Sequence, residues 1–238
     1  MIIGNSTLPI DSLYMQDSLV NGRLASTAAF SINLAEGEIQ PPVLNILQAS
    51  LFKNAPVDIS IWYGSHQNSI QRNYTAAVIV EFVLPELNAS DGRATATVMV
   101  RLKSNSVKSN ENAGPLVFTP KERPRPLLKS NFTASFGDLP AARFSNIRFS
   151  KNAAGNWVTV ETSIADIEAW SNWLTNGSKK MDASVYLLAP DMRTRVKQVK
   201  LLGAEAVSIK RSFIKTEERI QRFTLLFKVA NILLEDAK

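Results

Sequence analysis

The chain has no cysteine and a single histidine among its 238 residues. Without cysteine there are no disulfides, no thiolate metal ligands and no thiol nucleophile. His66 stands in the turn-like stretch Gly64-Ser-His-Gln-Asn-Ser69 with no second histidine to help it, which reads as a solvated loop histidine rather than part of a zinc site or a hydrolytic triad. The sequence contains no Gly-x-Ser-x-Gly elbow and no glycine-rich phosphate loop, so neither serine hydrolysis nor nucleotide binding has support. Glu217 and Glu218 are carboxylates of the kind that glycoside hydrolysis uses. They stand beside Lys215 and Arg219 in a charged hairpin, where solvated ion pairs are the simpler reading. No apolar run approaches the roughly 18–20 residues needed to span a bilayer. The opening Met-Ile-Ile-Gly-Asn-Ser has neither the basic start nor the long apolar core of a signal peptide, so the expectation is a protein made in the cytosol and kept or assembled there. The expectation is also no enzyme, no cofactor, no metal and no membrane partner.

What is present is enough apolar material, 45% of residues, to build one large or two ordinary domains. The charge is unevenly spread. Residues 1–118 hold 7 basic and 9 acidic groups, and the remaining 120 hold 20 and 12, which splits the net +6 into −2 and +8. A basic half fits either nucleic acid or an acidic protein neighbour. The basic stretches are Lys121 to Lys129 and the strand Arg193-Thr-Arg-Val-Lys-Gln-Val-Lys200, with Arg193, Arg195 and Lys197 expected on one face. No aromatic residues are interleaved with them to stack bases, so a solvated or subunit-contacting face is the better reading.

The chain reads as one domain written twice. Asp58-Ile-Ser-Ile-Trp-Tyr63 and Asp182-Ala-Ser-Val-Tyr-Leu187 stand 124 positions apart, and Leu8-Pro9 recurs as Leu139-Pro140. In the first copy, Leu8 to Met15 and Leu24 to Leu34 read as strands. Pro41-Pro42 opens a helix through Phe52, because a missing N–H costs nothing in the first turn. Strands follow at Val57 to Tyr63, Thr75 to Leu84 and Ala94 to Leu102, the last two joined by a hairpin signal at Asn88-Ala-Ser-Asp-Gly-Arg93. In the second copy the strands are Asn131 to Phe136, Ala142 to Phe149, Trp157 to Glu161, Asp182 to Leu188, Val196 to Ile209 and Arg222 to Val229. Trp157 to Glu161 aligns with Ala29 to Asn33. Ser163 with Asp166 reads as a capping box for a helix whose Ile164, Ile167, Trp170, Trp173 and Leu174 share a face. That helix packs on a sheet, with Trp170 and Trp173 as candidates for a subunit interface, where aromatic residues are enriched. Between the copies, residues 105–129 are rich in Ser, Asn, Lys, Pro and Arg and end in Pro120-Lys-Glu-Arg-Pro-Arg-Pro126, the composition of a semi-rigid linker.

The stretch Phe132-Thr-Ala-Ser-Phe-Gly-Asp-Leu-Pro-Ala-Ala-Arg-Phe-Ser-Asn-Ile147, the helix Ala169-Trp-Ser-Asn-Trp-Leu-Thr-Asn-Gly177 and the run Val199-Lys-Leu-Leu-Gly-Ala-Glu-Ala-Val-Ser208 together resemble the contractile-tail tube proteins. Glu217 to Leu234, with its alternating Phe223, Leu225, Phe227 and Val229, is similar to their last long strand. Ala206 stands where that family often has proline. The resemblance covers about residues 130–236 and reaches residues 5–103 through the internal repeat.

It implies a mainly β protein with two tandem tail-tube-like antiparallel β-barrel or sandwich domains, 1–104 and 130–238, each with one flanking helix. It further implies self-association into a ring, with three doubled chains replacing six single domains, and a place in a phage tail or a related injection machine. Tail tube, baseplate or spike proteins would be its partners, DNA would pass through the lumen without specific binding, and the virion tail, assembled in the host cytoplasm, would be its location. Divergence of the copies favours a baseplate hub or tube-end component over the repeating tube protein. The subunit-interface candidates are Trp170, Trp173, Arg193, Arg195 and Lys197. A basic nucleic-acid-binding β-domain is the alternative class, and an enzyme working through carboxylates alone is the third.

Overall fold

The computed structural model describes residues 1–238 except 4–5, 36–40, 66–67, 112, 115–124, 141, 153–154, 164–166, 176–179, 213–221 and 238. His66, Asp166, Ile164, Gly177 and the Lys215–Arg219 hairpin lie outside the described residues, as does most of the proline-rich run. The chain divides into two units. Unit 1 comprises Met1–Leu84 and Thr97–Pro126, and unit 2 comprises Pro85–Ala96 and Leu127–Lys238.

Unit 1 contains β1 (Ile2–Ile3), β2 (Ser6–Thr7), β3 (Ser12–Val20), β4 (Arg23–Asn33), α1 (Pro41–Lys53), β5 (Val57–Gly64) and β6 (Ser69–Val83). After the excursion that carries β7 (Leu87–Asn88), it resumes with β8 (Thr97–Ser104) and β9 (Ser106–Asn110). Unit 2 continues with β10 (Phe132–Phe136), β11 (Arg143–Asn152), β12 (Gly155–Ser163), α2 (Ile167–Thr175), β13 (Met181–Leu188), β14 (Arg195–Ser212), β15 (Arg222–Val229) and β16 (Asn231–Asp236). The protein is mainly β, and its two antiparallel sheets form a half-barrel and a nearly closed barrel.

Alternation builds both cores. In β8, Val98, Val100 and Leu102 are fully buried while Met99, Arg101 and Lys103 face out. In β15, Phe223, Leu225, Phe227 and Val229 take the inner places. Each such side chain contributes about 1.5–3 kcal/mol by leaving water. Helix α1 begins at Pro41, as the double proline requires. It closes at Asn54, which adopts φ 49°, a left-handed backbone that asparagine tolerates better than most residues. Val43 and Leu47 bury the helix against the sheet, and the Ser50 hydroxyl accepts a hydrogen bond from the Ile79 amide at 3.1 Å.

The two strand orders match apart from one extra end strand in each. Unit 1 runs β2-β1-β5-β6-β8-β4-β3 with β9 on β6, and unit 2 runs β10-β13-β14-β15-β12-β11-β7 with β16 on β14. Beyond the two end strands β2 and β7, each strand of one unit has a counterpart in the other, and each helix lies between the strands that occupy matching places. The irregularities recur too. Strand β6 shifts register between Ile79 and Glu81, which leaves Val80 48% exposed, and β14 shifts between Ala206 and Ser208, which leaves Val207 50% exposed. A one-residue insertion of this kind bends a long strand and lets it serve two sheet directions.

Several expectations need correcting. The pair β6 and β8 is antiparallel, but no tight Asp-Gly hairpin joins it. Gly92 does not adopt positive φ, and Asn88 to Asp91 make a turn inside a longer excursion, with the Asp91 amide donating to the Asn88 carbonyl at 3.0 Å. Ser163 is the last residue of β12, and residues 164–166, where the expected cap would meet α2, lie outside the described residues. Leu102 and Phe227 stand on the same side of the two bulges, and they pair with Ala28 and Val158, so Ala28 and Val158 hold matching places relative to the bulges. The stretch read as linker contains β9 at its start, which pairs with β6. At its end, Pro126 bridges to Ala35, and Leu127 and Leu128 join unit 2.

Candidate functional site

Among the described residues no three His, Asp or Glu side chains gather into a group that could hold a metal ion. No helix among them is long and apolar enough to cross a membrane. One sheet edge among the described residues is elaborately built.

That edge is β11. Strand β12 covers one side of it and β7 covers the other, with Leu87 opposite Ile147 and Asn88 opposite Asn146. The excursion carrying β7 is firmly seated. Leu87 is fully buried, the Ala89 amide donates to the Ser145 carbonyl at 2.9 Å, and the Lys129 amide donates to the Ala94 carbonyl at 2.9 Å. Glu86 accepts from Asn146 Nδ2 and from the Arg148 guanidinium, both at 2.8 Å. The Arg148 hydrogen bond, then that of Asn146, holds the Glu86 carboxyl below its ordinary range. A peptide segment of the first half thus completes a sheet of unit 2 by strand addition, with backbone bonds for affinity and Leu87 and Glu86 for register.

The sequence-derived interface residues fall in different environments. Trp170 is 2% exposed and meets Phe136 edge-on at 5.8 Å, so it is part of unit 2's interior. Trp173 is half-buried against Phe227, with ring centroids 6.0 Å apart. Arg193 lies in the turn before β14, exposed, where its amide donates to Asp191. Arg195 opens β14 with its guanidinium 4.2 Å from the Tyr186 ring centre. Lys197 is 2% exposed and ion-pairs with Asp236 of β16. The expected basic stripe is therefore not a stripe. Lys197 points inward because a carboxylate 39 residues away meets it there, a pairing that alternation along β14 alone does not reveal. Asp191, fully exposed, is held down to about 2 by hydrogen bonds from the Thr194 hydroxyl and the Thr194 and Arg193 amides.

Unit 1 has its own polar cluster. Asp17 of β3 ion-pairs with Arg72 of β6 and accepts from Ser26 at 2.6 Å. The Arg72 hydrogen bond, then that of Ser26, lowers the Asp17 carboxyl. Arg72 lies 5.6 Å from the Tyr74 ring centre, and burial pushes the Tyr74 phenol up to about 12.

No protein-family model matches the chain, and neither does any curated protein. Solved structures similar to part of it include the following two. The tube-terminating cap of the anti-feeding prophage is 14% identical, with a TM-score of 0.39, over 51% of this chain and 99% of that one. A sheath–tube complex of an extracellular contractile injection system, in its extended state, gives 14% identity and a TM-score of 0.33 over 44% of this chain and 88% of that one. Scores this low identify no family.

Proposed function

We propose that this chain is a structural, non-catalytic component of a contractile tail or injection apparatus. Its two units are diverged copies of one tube-type domain, three chains close a ring of six such domains, and the ring continues a tube as a hub or tube-end piece. The observation that carries the reading is the recurrence of an irregular device at matching places. Asp58 Oδ1 accepts from the Ala76 amide at 2.8 Å, and Asp182 Oδ1 accepts from the Gly203 amide at 2.9 Å. Both donors have left-handed backbones, φ 49° and φ 60°. Each sits where its long strand shifts register against the partner, between Val57 and Ile59 and between Met181 and Ala183. Regular strands match by chance; an aspartate bracing a left-handed residue in a register shift is a far more specific coincidence.

A doubled domain multiplies one surface, which suits a closed ring, whereas catalysis concentrates one site. The charge split between the halves lets the two surfaces differ, as an adapter between unlike neighbours requires. Electron microscopy of the concentrated full chain tests the reading. Closed rings with six similar lobes are expected, and dispersed two-lobed particles at every concentration would refute it.

A further inference from the structure

The two units cover opposite ends of their matching sheets. In unit 1, the short strand β2 covers the outer edge of β1, while at the other end β3 pairs only with β4 among the described residues. In unit 2 the arrangement is reversed. Strand β7 covers the outer edge of β11, the counterpart of β3, and β10, the counterpart of β1, pairs only with β13 among the described residues. Among the described residues, each unit therefore leaves unpaired the one edge that the other unit covers.

Register transfers the covered spot from unit 2 to unit 1. Phe227 pairs with Val158, which pairs with Phe149, and Leu102 pairs with Ala28, which pairs with Met15. Asn146 and Ile147, the residues that β7 pairs with, therefore correspond to Ser12 and Leu13, and Arg148 corresponds to Tyr14.

Both open edges have the composition of a pairing template. Strand β3, Ser12–Val20, and strand β10, Phe132–Phe136, contain no proline, lysine or arginine to discourage another strand. Tyr14 is 65% exposed and Leu19 77% exposed. In β10, Phe132 and Phe136 are buried while Thr133 and Ser135 face out, so the strand is anchored by its ends and its polar face stays free.

We propose that the β3 edge, at Ser12 to Tyr14, pairs with the β10 edge of a second copy of this chain. An open edge of unit 1 then meets an open edge of unit 2 in the next chain. Contacts of this head-to-tail kind use two different patches, so they propagate around a ring until it closes. A second copy is the occupant because one chain carries both complementary edges, one in each unit. The inference rests on the ring reading given above and names the surface through which the ring forms.

The full chain carrying Tyr14→p-benzoylphenylalanine, prepared as an equal mixture of 14N- and 15N-labelled protein, tests it by photo-crosslinking and peptide mass analysis. Mixed-label peptides joining position 14 to residues 132–136 are expected. Same-label links alone, or links to another region of the second copy, overturn the edge assignment. Two double variants, Ser12→Lys with Tyr14→Lys and Thr133→Lys with Ser135→Lys, place cations on one edge or the other. Each is expected to weaken self-association at least tenfold with an unchanged circular dichroism spectrum; undiminished association overturns the proposal. Rings that persist in either experiment with links elsewhere refute the edge pairing and leave the ring reading standing. A wild-type chain that stays monomeric refutes both.

Discussion

Asp58 and Asp182, 124 positions apart, make the same hydrogen bond in their two units: each accepts the amide hydrogen of a left-handed residue, Ala76 in one and Gly203 in the other. The residues that share the conformation differ in chemistry. A left-handed backbone costs an L-residue about 1–2 kcal/mol, and glycine nothing comparable. Ala76→Gly is therefore expected to stabilise unit 1 by about 0.5–1 kcal/mol. Gly203→Ala is expected to destabilise unit 2 by about 1–2 kcal/mol, the more so because its new Cβ would stand 3.3 Å from Ala230 Cβ. Urea unfolding of the two variants should shift in opposite directions.

Leu87 lies in the first half of the sequence yet is fully buried in unit 2. Leu87→Ala should cost about 2–4 kcal/mol through lost burial and a cavity. Hydrogen exchange should show the loss along β11, with β3 and β4 unaffected. Glu86→Gln is milder, because Glu86 and Arg148 are both well exposed, and such pairs contribute about 0–1 kcal/mol. Its signature is pH. A carboxyl lowered on folding stabilises the protein above its ordinary range, and that contribution is lost as the pH falls through the folded value. The wild type should therefore lose more stability than Glu86→Gln on acidification below about pH 4.5.

Burial raises Tyr74 from 10.0 to about 12. The sign is that of a group easier to ionise when unfolded: its contribution is full below pH 10 and is lost as the pH rises toward 12. Absorbance titration of phenolate should show a late step that Tyr74→Phe removes. The same variant should unfold at higher pH than the wild type. Its stability at neutral pH should hold or improve, since the Tyr74 hydroxyl is buried without a hydrogen-bond partner among the described residues and its removal relieves a desolvated polar group.

Lys197 is buried beside Asp236. Asp236 itself is 40% exposed, so removing the acid leaves the ammonium partly reachable by water, and Asp236→Ala should destabilise by about 1–3 kcal/mol rather than by the full cost of breaking a buried pair. Lys197→Met, which replaces the charge with an apolar side chain of similar length, should be near neutral or stabilising. Thermal unfolding distinguishes this from an outward, DNA-facing lysine, for which both changes would be small.

Local chemistry made much of this fold readable. The double proline places the start of α1, strict alternation exposes β8 and β15, and the paired Asp-led strands stand at matching places in the two strand orders. What stayed hidden depends on distant partners. Strand β7 is two residues long and has no periodicity, and its destination is set by Glu86 meeting Arg148 and Asn146. Strands β9 and β16 are short, and each leans on a strand already paired elsewhere along its length. Val80 and Val207 break the alternation of β6 and β14, so each long strand reads as two faces out of phase. Lys197 reads as surface until Asp236 is placed beside it.

Closure of doubled units into a ring is tested most directly by native mass spectrometry of the intact protein. A dominant species of three chains, three times 26.2 kDa, is expected, dissociating without passing through a stable dimer. A single 26.2 kDa species persisting at high protein concentration would contradict it.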